Sequence, residues 1–331
     1  MKISVIGAGS WGTAFARLTA LRGHETSLWV RRAELAERIK REKENDEYLP
    51  GIKLPEENFR TVTELSSLDE EGDLLVFALP SFAMREMARR VKSEVGTENK
   101  YFINLAKGMD KKTSSTMSEL LAGSFRKEKI FTLSGPSHAE EVAREHPTAV
   151  VLAGNLEIGS YLQEELSTER FRIYLSGDIK GVEYCGTVKN IIAIASGIVD
   201  GLGFGDNTIG ALLSRGLAEM VRFGESMGVE KETFFGLAGV GDLIATCTSE
   251  HSRNRGVGYR IGKGEKVEKI LESMNMVAEG VYATKVVRNI AEKKGISMPI
   301  TRSLYKIIKG YSNPEKEINE LMTRQYKEEN I

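Results

Sequence analysis

The stretch "VIGAGSWGTAFARL" (residues 5–18) spaces glycines at 7, 9 and 12 as G-x-G-x-x-G, directly after the β-rich run "KISVIG" (2–7) and at the start of a helical pattern. Each glycine has a physical use in a dinucleotide-binding turn. Gly7 permits the tight turn, Gly9 lets backbone approach a pyrophosphate, and Gly12 allows the helix to pack closely on the strand. The amino end of that helix would then face the phosphates. A glycine-rich turn also closes many strand–helix pairs with no ligand. The second strand "TSLWV" (26–30) completes a βαβ unit and favours the dinucleotide reading.

After that second strand, a cofactor without a 2'-phosphate would call for an acid to hold the ribose. The chain instead reads Arg31-Arg32. Two guanidinium groups suit a 2'-phosphate through charge-assisted hydrogen bonds, so NADPH is the expected cofactor. A solvated strand edge is the plainer account of the same arginines. Glu34 is near enough in sequence to preserve some use of NADH.

Further β-rich runs alternate with helical stretches: "LLVFAL" (74–79), "YFINLAK" (101–107), "IFTLSG" (130–135), "TAVVLAG" (148–154) and "FRIYLSG" (171–177). Such alternation predicts βαβ units and a mainly parallel sheet. From about residue 180 the period becomes helical, with Val188, Ile191, Ile192, Ala195, Ile198 and Val199 at i, i+3, i+4, i+7 spacing. A second long helix is expected over "TIGALLSRGLAEMVRFGESMG" (208–228), and the glycine-rich "GLGFGDN" (201–207) reads as a tight helix connection. The expected organisation is therefore an α/β domain over 1–179 and an all-helical domain over 180–331.

Composition bounds the function. The chain is 41% hydrophobic and 28% charged with a formal net charge of -1, which offers no global field for nucleic acid. The amino terminus turns glycine-rich after six residues, too soon for a signal peptide, and no charge-free apolar run reaches the roughly 18 residues of a membrane span. A cytoplasmic protein is expected. Cys185 and Cys247 lack any partner at ligand spacing, so neither a disulfide nor a metal site is expected.

In "EYCGTVKNIIAIASGIVDG" (183–201), Lys189 is the sole charge between Glu183 and Asp200. Burial would lower its pKa toward the range useful for general acid–base work, whereas a stem that reaches water at the helix edge would leave it inert. Asn190 lies beside it, and "GVGDLIATCTS" (239–249) puts Asp242 and Thr246 at i, i+4 on one helical face. Asp242 also fits a plain role at a helix amino end. Arg253, Asn254 and Arg255 form a compact set of anion donors, or else a solvated basic turn. Lys107 stands at the carboxyl end of one strand, and Gly135, Ser137 and His138 stand at the end of another, where ligands collect in open parallel sheets. His138 has no evident orienting partner and reads as a packing or capping residue.

Taken together, "GAGSWGTAFA", "NDEYLPG", "NLAKGMD", "SGPSHAEEV", "VKNIIAIASGIVDGLGFGDNT", "SRGLAEM", "GVGDLIATCTS", "SRNR" and "VAEGVYA" resemble the bacterial-type NAD(P)-dependent glycerol-3-phosphate dehydrogenases over nearly the full chain. The resemblance implies a Rossmann-like amino-terminal domain and an all-α carboxy-terminal domain similar to that of 6-phosphogluconate dehydrogenase. It implies reversible reduction of dihydroxyacetone phosphate to sn-glycerol 3-phosphate, for phospholipid synthesis, with NADPH/NADP preferred and NADH/NAD possible. Besides the three glycines, it assigns Ser10, Trp11, Arg31, Arg32, Tyr48, Lys107, Ala139, Arg253, Val277 and Glu279 to the cofactor. Substrate contacts would be Lys107, Gly135, Ser137, Lys189, Asp242, Ser252, Arg253 and Asn254, supported by Asn190 and Thr246. Proton transfer falls to Lys189, with Lys107 and Asp242 as its catalytic companions, and a homodimer is expected. Val30 stands where the family often has a small residue. Two other readings remain at this point: a dehydrogenase of a β-hydroxyacid or ketopantoate-like substrate on the same plan, or an NAD(P)H-sensing protein without chemistry.

Overall fold

A computed structural model describes residues 1–68, 72–274, 277–326 and 328–329. The chain divides into two compact units, residues 1–106 with 115–179, and residues 107–114 with 180–331. The segment Lys107–Ser114 thus groups with the second unit, an excursion that the hydrophobic period does not register.

The first unit is built on an eight-stranded sheet: β1 (Lys2–Ile6), β2 (Glu25–Trp29), β3 (Phe59–Val62), β4 (Leu74–Phe77), β5 (Tyr101–Asn104), β6 (Ile130–Ser134), β7 (Thr148–Ala153) and β8 (Phe171–Ser176). Their order is β3-β2-β1-β4-β5-β6-β7-β8, and every pairing is parallel except β6 with β7. β3 was not among the expected strands; it is four residues long, only partly buried, and has no apolar run to mark it. Helices α1 (Ser10–Leu21), α2 (Ala33–Glu42), α3 (Met84–Glu94), α4 (Met117–Ala122), α5 (Ala139–Ala143) and α6 (Leu156–Leu166) complete the unit. β4 shows how the sheet is covered: Leu74 and Val76 enter one apolar cluster, while Leu75 and Phe77 enter another. A strand buried on both faces needs the continuous apolar run seen there. The edge strand β8 instead alternates buried Phe171 and Ile173 with exposed Arg172 and Tyr174.

The second unit is helical: α7 (Ile179–Gly201, whose first residue packs with the first unit), α8 (Asp206–Ser226), α9 (Asp242–Thr248), α10 (Arg253–Gly262), α11 (Val267–Glu272), α12 (Glu279–Lys294), α13 (Pro299–Ile308) and α14 (Pro314–Met322). Only four residues join α7 to α8, the tight connection expected from the glycines. α7 is long and apolar enough to cross a bilayer, but 94% of its apolar window is buried inside the protein, which makes it a core helix. It crosses α10 at backbone contact. A methyl group at Gly197 or Gly201 would overlap the Arg255 or Tyr259 carbonyl, and one at Gly258 or Gly262 would overlap the Ile194 or Ile198 carbonyl. Glu219 on α8 accepts hydrogen bonds from the Ile300 and Thr301 amides and, at 2.9 Å, from the Thr301 hydroxyl, so one helix caps another inside the core.

Candidate active site

Two groups of the expected residues assemble, one in each unit. In the first, Gly7 lies between β1 and α1 with φ of +116°, a conformation that favours glycine. A side chain at Gly12 would overlap the Gly7 carbonyl, so α1 can start directly on the turn only with glycine there. The turn sits where the strand order reverses, between β1 and β4, the crevice in which such sheets bind ligands. α1 begins with no side-chain cap and no acid in its first turn, leaving amides and a positive dipole end suited to an anion. These features fit a dinucleotide pyrophosphate.

Around the turn, Ser10 is buried in the first turn of α1, and Trp11 packs against Phe15 and Phe171 at ring distances of 6.1 and 6.5 Å. Sequence reasoning passed over Asn45. It is fully buried, and its amide donates to the Ala8 carbonyl at 2.9 Å and to the Thr13 hydroxyl at 2.8 Å, tying the following loop to the glycine turn. Its Oδ1 has no hydrogen-bond partner among the described residues. Nothing in a lone asparagine between charged neighbours signals that role.

Arg31 and Arg32 lie just beyond β2, where Arg32 is the residue before α2. Arg32 is engaged: its Nη2 meets Glu47 Oε1 at 2.5 Å and the Tyr48 hydroxyl at 3.5 Å. Glu47 also binds Arg38 at 3.2 Å, and Arg38 binds Asp46 at 2.9 Å. Arg31 is exposed and makes no ion pair among the described residues. Gly135 follows β6 with φ of +132°, and the Ser137 hydroxyl donates to its carbonyl at 2.9 Å. His138 is the N-cap residue of α5, where its carbonyl accepts from the Glu141 and Val142 amides and its side chain makes no cap hydrogen bond. Ala139 is buried with Ala14, Leu49 and Ile52 in a small apolar cluster that Trp11 flanks.

In the second unit, Asp242 opens α9 directly after the π-helical turn Leu237–Gly241, so it stands inside a continuous helical path and acts as a lysine partner. Its Oδ2 accepts from Lys107 Nζ at 2.7 Å and its Oδ1 from Lys189 Nζ at 2.8 Å. Lys189 also donates to Thr246 Oγ1 at 2.6 Å, and the threonine donates on to Asp242 at 3.2 Å. An ammonium has three protons. The third on Lys189 has no protein acceptor among the described residues. The Asn190 amide donates to the Lys107 carbonyl at 3.1 Å and so fixes the segment that carries Lys107. Asp110 shapes the rest of that segment by accepting from Lys112 N, Thr113 N and the Thr113 hydroxyl. Lys107 had read as the last residue of a strand, but β5 stops at Asn104.

Burial pulls the Lys189 ammonium down to about 8; Asp242 opposes that pull and the Lys107 charge adds to it. Burial alone would raise the Asp242 carboxyl, but the two ammonium groups outweigh it and hold the acid below its ordinary range. Cys247, buried nearby, is pushed up to about 12 by desolvation and stays a thiol. A buried carboxylate between two lysines, one of them brought down to about 8, can orient that ammonium for proton transfer.

The anion set is partly committed. Arg255 pairs with Asp200 at 2.6 Å, and Asn254 Oδ1 accepts from the Gly280 amide at 3.0 Å. Ser252 caps α10 by accepting from Arg255 N, and exposed Arg253 reaches the Val277 carbonyl at 3.5 Å. Glu279 begins α12 one residue before Gly280. The compact basic cluster read from the sequence is thus divided, with Arg255 and Asn254 committed to protein partners and Arg253 solvent-exposed.

An α/β unit with a glycine turn at its topological switch, followed by a helical unit carrying a buried lysine–carboxylate pair, defines a nucleotide-dependent dehydrogenase class. Family models described as NAD-dependent glycerol-3-phosphate dehydrogenase N-terminus and C-terminus match residues 2–158 and 178–319. The chain belongs to this glycerol-3-phosphate dehydrogenase family. It is 44% identical to the glycerol-3-phosphate dehydrogenase [NAD(P)+] of Chlorobium limicola over 99% of both chains, and 46% identical to that of a Thermoanaerobacter species, again over 99% of both. The crystal structure of the Coxiella burnetii glycerol-3-phosphate dehydrogenase superposes with a TM-score of 0.92 at 37% identity, covering 98% of this chain and 99% of the other. The Rossmann-like and helical fold pair is as expected.

Proposed function

We propose that the protein catalyses the reversible NAD(P)H-dependent reduction of dihydroxyacetone phosphate to sn-glycerol 3-phosphate, the glycerol backbone of phospholipids. Family membership supports the substrate, and the Lys189–Asp242–Thr246 arrangement is the observation that carries the chemistry. The β-hydroxyacid and sensor alternatives are not favoured, since neither accounts for full-length similarity to enzymes of this name.

When bound, the nicotinamide cofactor supplies the hydride. The glycine turn, Ser10 and Trp11 would hold its phosphates and ring system, and Arg31, Arg32 and Tyr48 its 2'-phosphate end. Ala139, Val277 and Glu279 belong to the same cofactor assignment. Lys189 donates a proton to the substrate carbonyl oxygen, so that a full negative charge does not build up there. Asp242 and Thr246 take two of its protons in hydrogen bonds and aim the third. Lys107 stabilises the developing oxyanion, a contribution of about 3–4 kcal/mol where a single donor is removed. Arg253 and Asn254, with Ser252, Gly135 and Ser137, anchor and orient the phosphate, converting remote binding into alignment. The reading includes a homodimer in the cytoplasm.

Lys189→Ala should lose turnover with dihydroxyacetone phosphate by roughly 100-fold or more while still binding NADPH. Steady-state rates followed at the NADPH absorbance band check this, and a wild-type kcat would defeat the assignment.

A further inference from the structure

The acid absent from the end of β2 is present in space. Glu47 comes from the loop after α2, yet its carboxylate lies on Arg32 at 2.5 Å, with Tyr48 beside the same guanidinium at 3.5 Å. Glu34, the acid nearer in sequence, makes no such ion pair among the described residues. Arg38 holds the other Glu47 oxygen at 3.2 Å and fixes the carboxylate in place. Arg31 and Arg32 are therefore unequal: one is an open cation, the other is already neutralised.

We propose that Glu47 sets the balance between NADP and NAD, because its carboxylate competes with the adenosine 2'-phosphate for Arg32 and offers the unphosphorylated ribose an acceptor. The inference rests on the reading that Arg31 and Arg32 form the 2'-phosphate end of the cofactor site. Its physical basis is simple. A 2'-phosphate brings negative charge to a guanidinium that already has a carboxylate at hydrogen-bond distance, so it must share or displace that partner and meets like-charge repulsion in doing so. A ribose hydroxyl brings no charge and can donate to a carboxylate, the role an acid fills in NAD-selective folds of this kind. Glu47 is partly exposed, with 26% of its side-chain surface accessible, so water screens the effect without abolishing it.

The test is calorimetric titration of the intact protein with NADP+ and with NAD+, comparing wild type, Glu47→Gln and Arg31→Ala at one low ionic strength. Glu47→Gln keeps the shape and removes the charge. It should tighten NADP+ by roughly fivefold, the scale of one exposed charge pair, and should not tighten NAD+. A weaker NADP+, an equal change for both cofactors or no change overturns the proposal. Glu47→Ala, with a melting curve for each variant, repeats the measurement should the amide introduce a new contact, and the same change in the ratio of affinities is required of it. A loss confined to NADP+ in Arg31→Ala upholds the 2'-phosphate reading, so that Glu47→Gln alone judges the role of Glu47. Equal loss for both cofactors in Arg31→Ala overturns that reading and the proposal with it.

Discussion

Each unit carries a carboxylate gripped by two cations, and the two clusters differ in little except water. In the first, Glu47 lies between Arg32 and Arg38, whose side chains are 48% and 36% exposed. In the second, Asp242 lies between Lys107 and Lys189 and is almost wholly buried. The exposed set keeps fixed charges: the hydrogen bond to Glu47 raises the Arg32 guanidinium further above its ordinary value. The buried set contains a base brought down to about 8 by desolvation, which makes its proton available. The choice of cation follows the same division. Arginine stays charged under all ordinary conditions, whereas lysine can be tuned by its surroundings.

The comparison breaks most visibly at Asp242. Asp242→Asn leaves two ammonium groups without their counter-charge, so unfolding free energy should fall by about 3–5 kcal/mol and turnover should nearly vanish. Denaturant melts and steady-state rates measure the two effects, and a variant as stable as wild type would mean that water reaches the cluster. A second expectation concerns pH. The Lys189 pKa is lowered, so the ammonium needed for ketone reduction is lost as pH rises through about 8. The reductive kcat should decline across that value while the oxidative direction gains, and a flat profile between pH 7 and 9 would remove Lys189 as proton donor. The same shift has a stability counterpart. Between about 8 and the ordinary lysine value the unfolded chain holds more protons at this site, so the contribution of Lys189 to stability rises with pH over that window. The smallest effect belongs to the exposed set: Arg38→Ala should change stability by under about 1 kcal/mol, and the change should fade with added salt. A cost comparable to that of Asp242→Asn would erase the distinction.

Much of this was legible in the sequence where one local rule governs. The glycine turn needs only its spacing, its strand and its helix. Asp242 and Thr246 fall on one face of α9 because four residues make a helical turn. Lys189 stood out as a lone charge in an apolar helix, and burial then gave it a use. What was not legible depends on distant parts of the chain. β3 is held by its pairing with β2 and not by an apolar pattern of its own. The reversal of β7 relative to β6 leaves no trace in a run of small and β-branched residues. Lys107 reaches Asp242 because Asp110 folds its segment into a turn and Asn190 holds its carbonyl, two contacts that no spacing foretells. Glu47 falls within the quoted "NDEYLPG" but was given no role, because it sits among charged residues, where one more acid carries no signal.

The interlocked glycines of α7 and α10 bear on how this chemistry stays in register. Hydrogen bonds can be exchanged for water, but two backbones in steric contact cannot slide past one another without unpacking. Lys189 lies two turns before Gly197 on one rod, and Ser252, Arg253 and Asn254 start the other. Lys189 and the Ser252–Asn254 segment, the proposed proton donor and anion anchor, are therefore spaced by a mechanical key cut into the main chain, one that substitutions elsewhere in the helical unit can loosen but not reset.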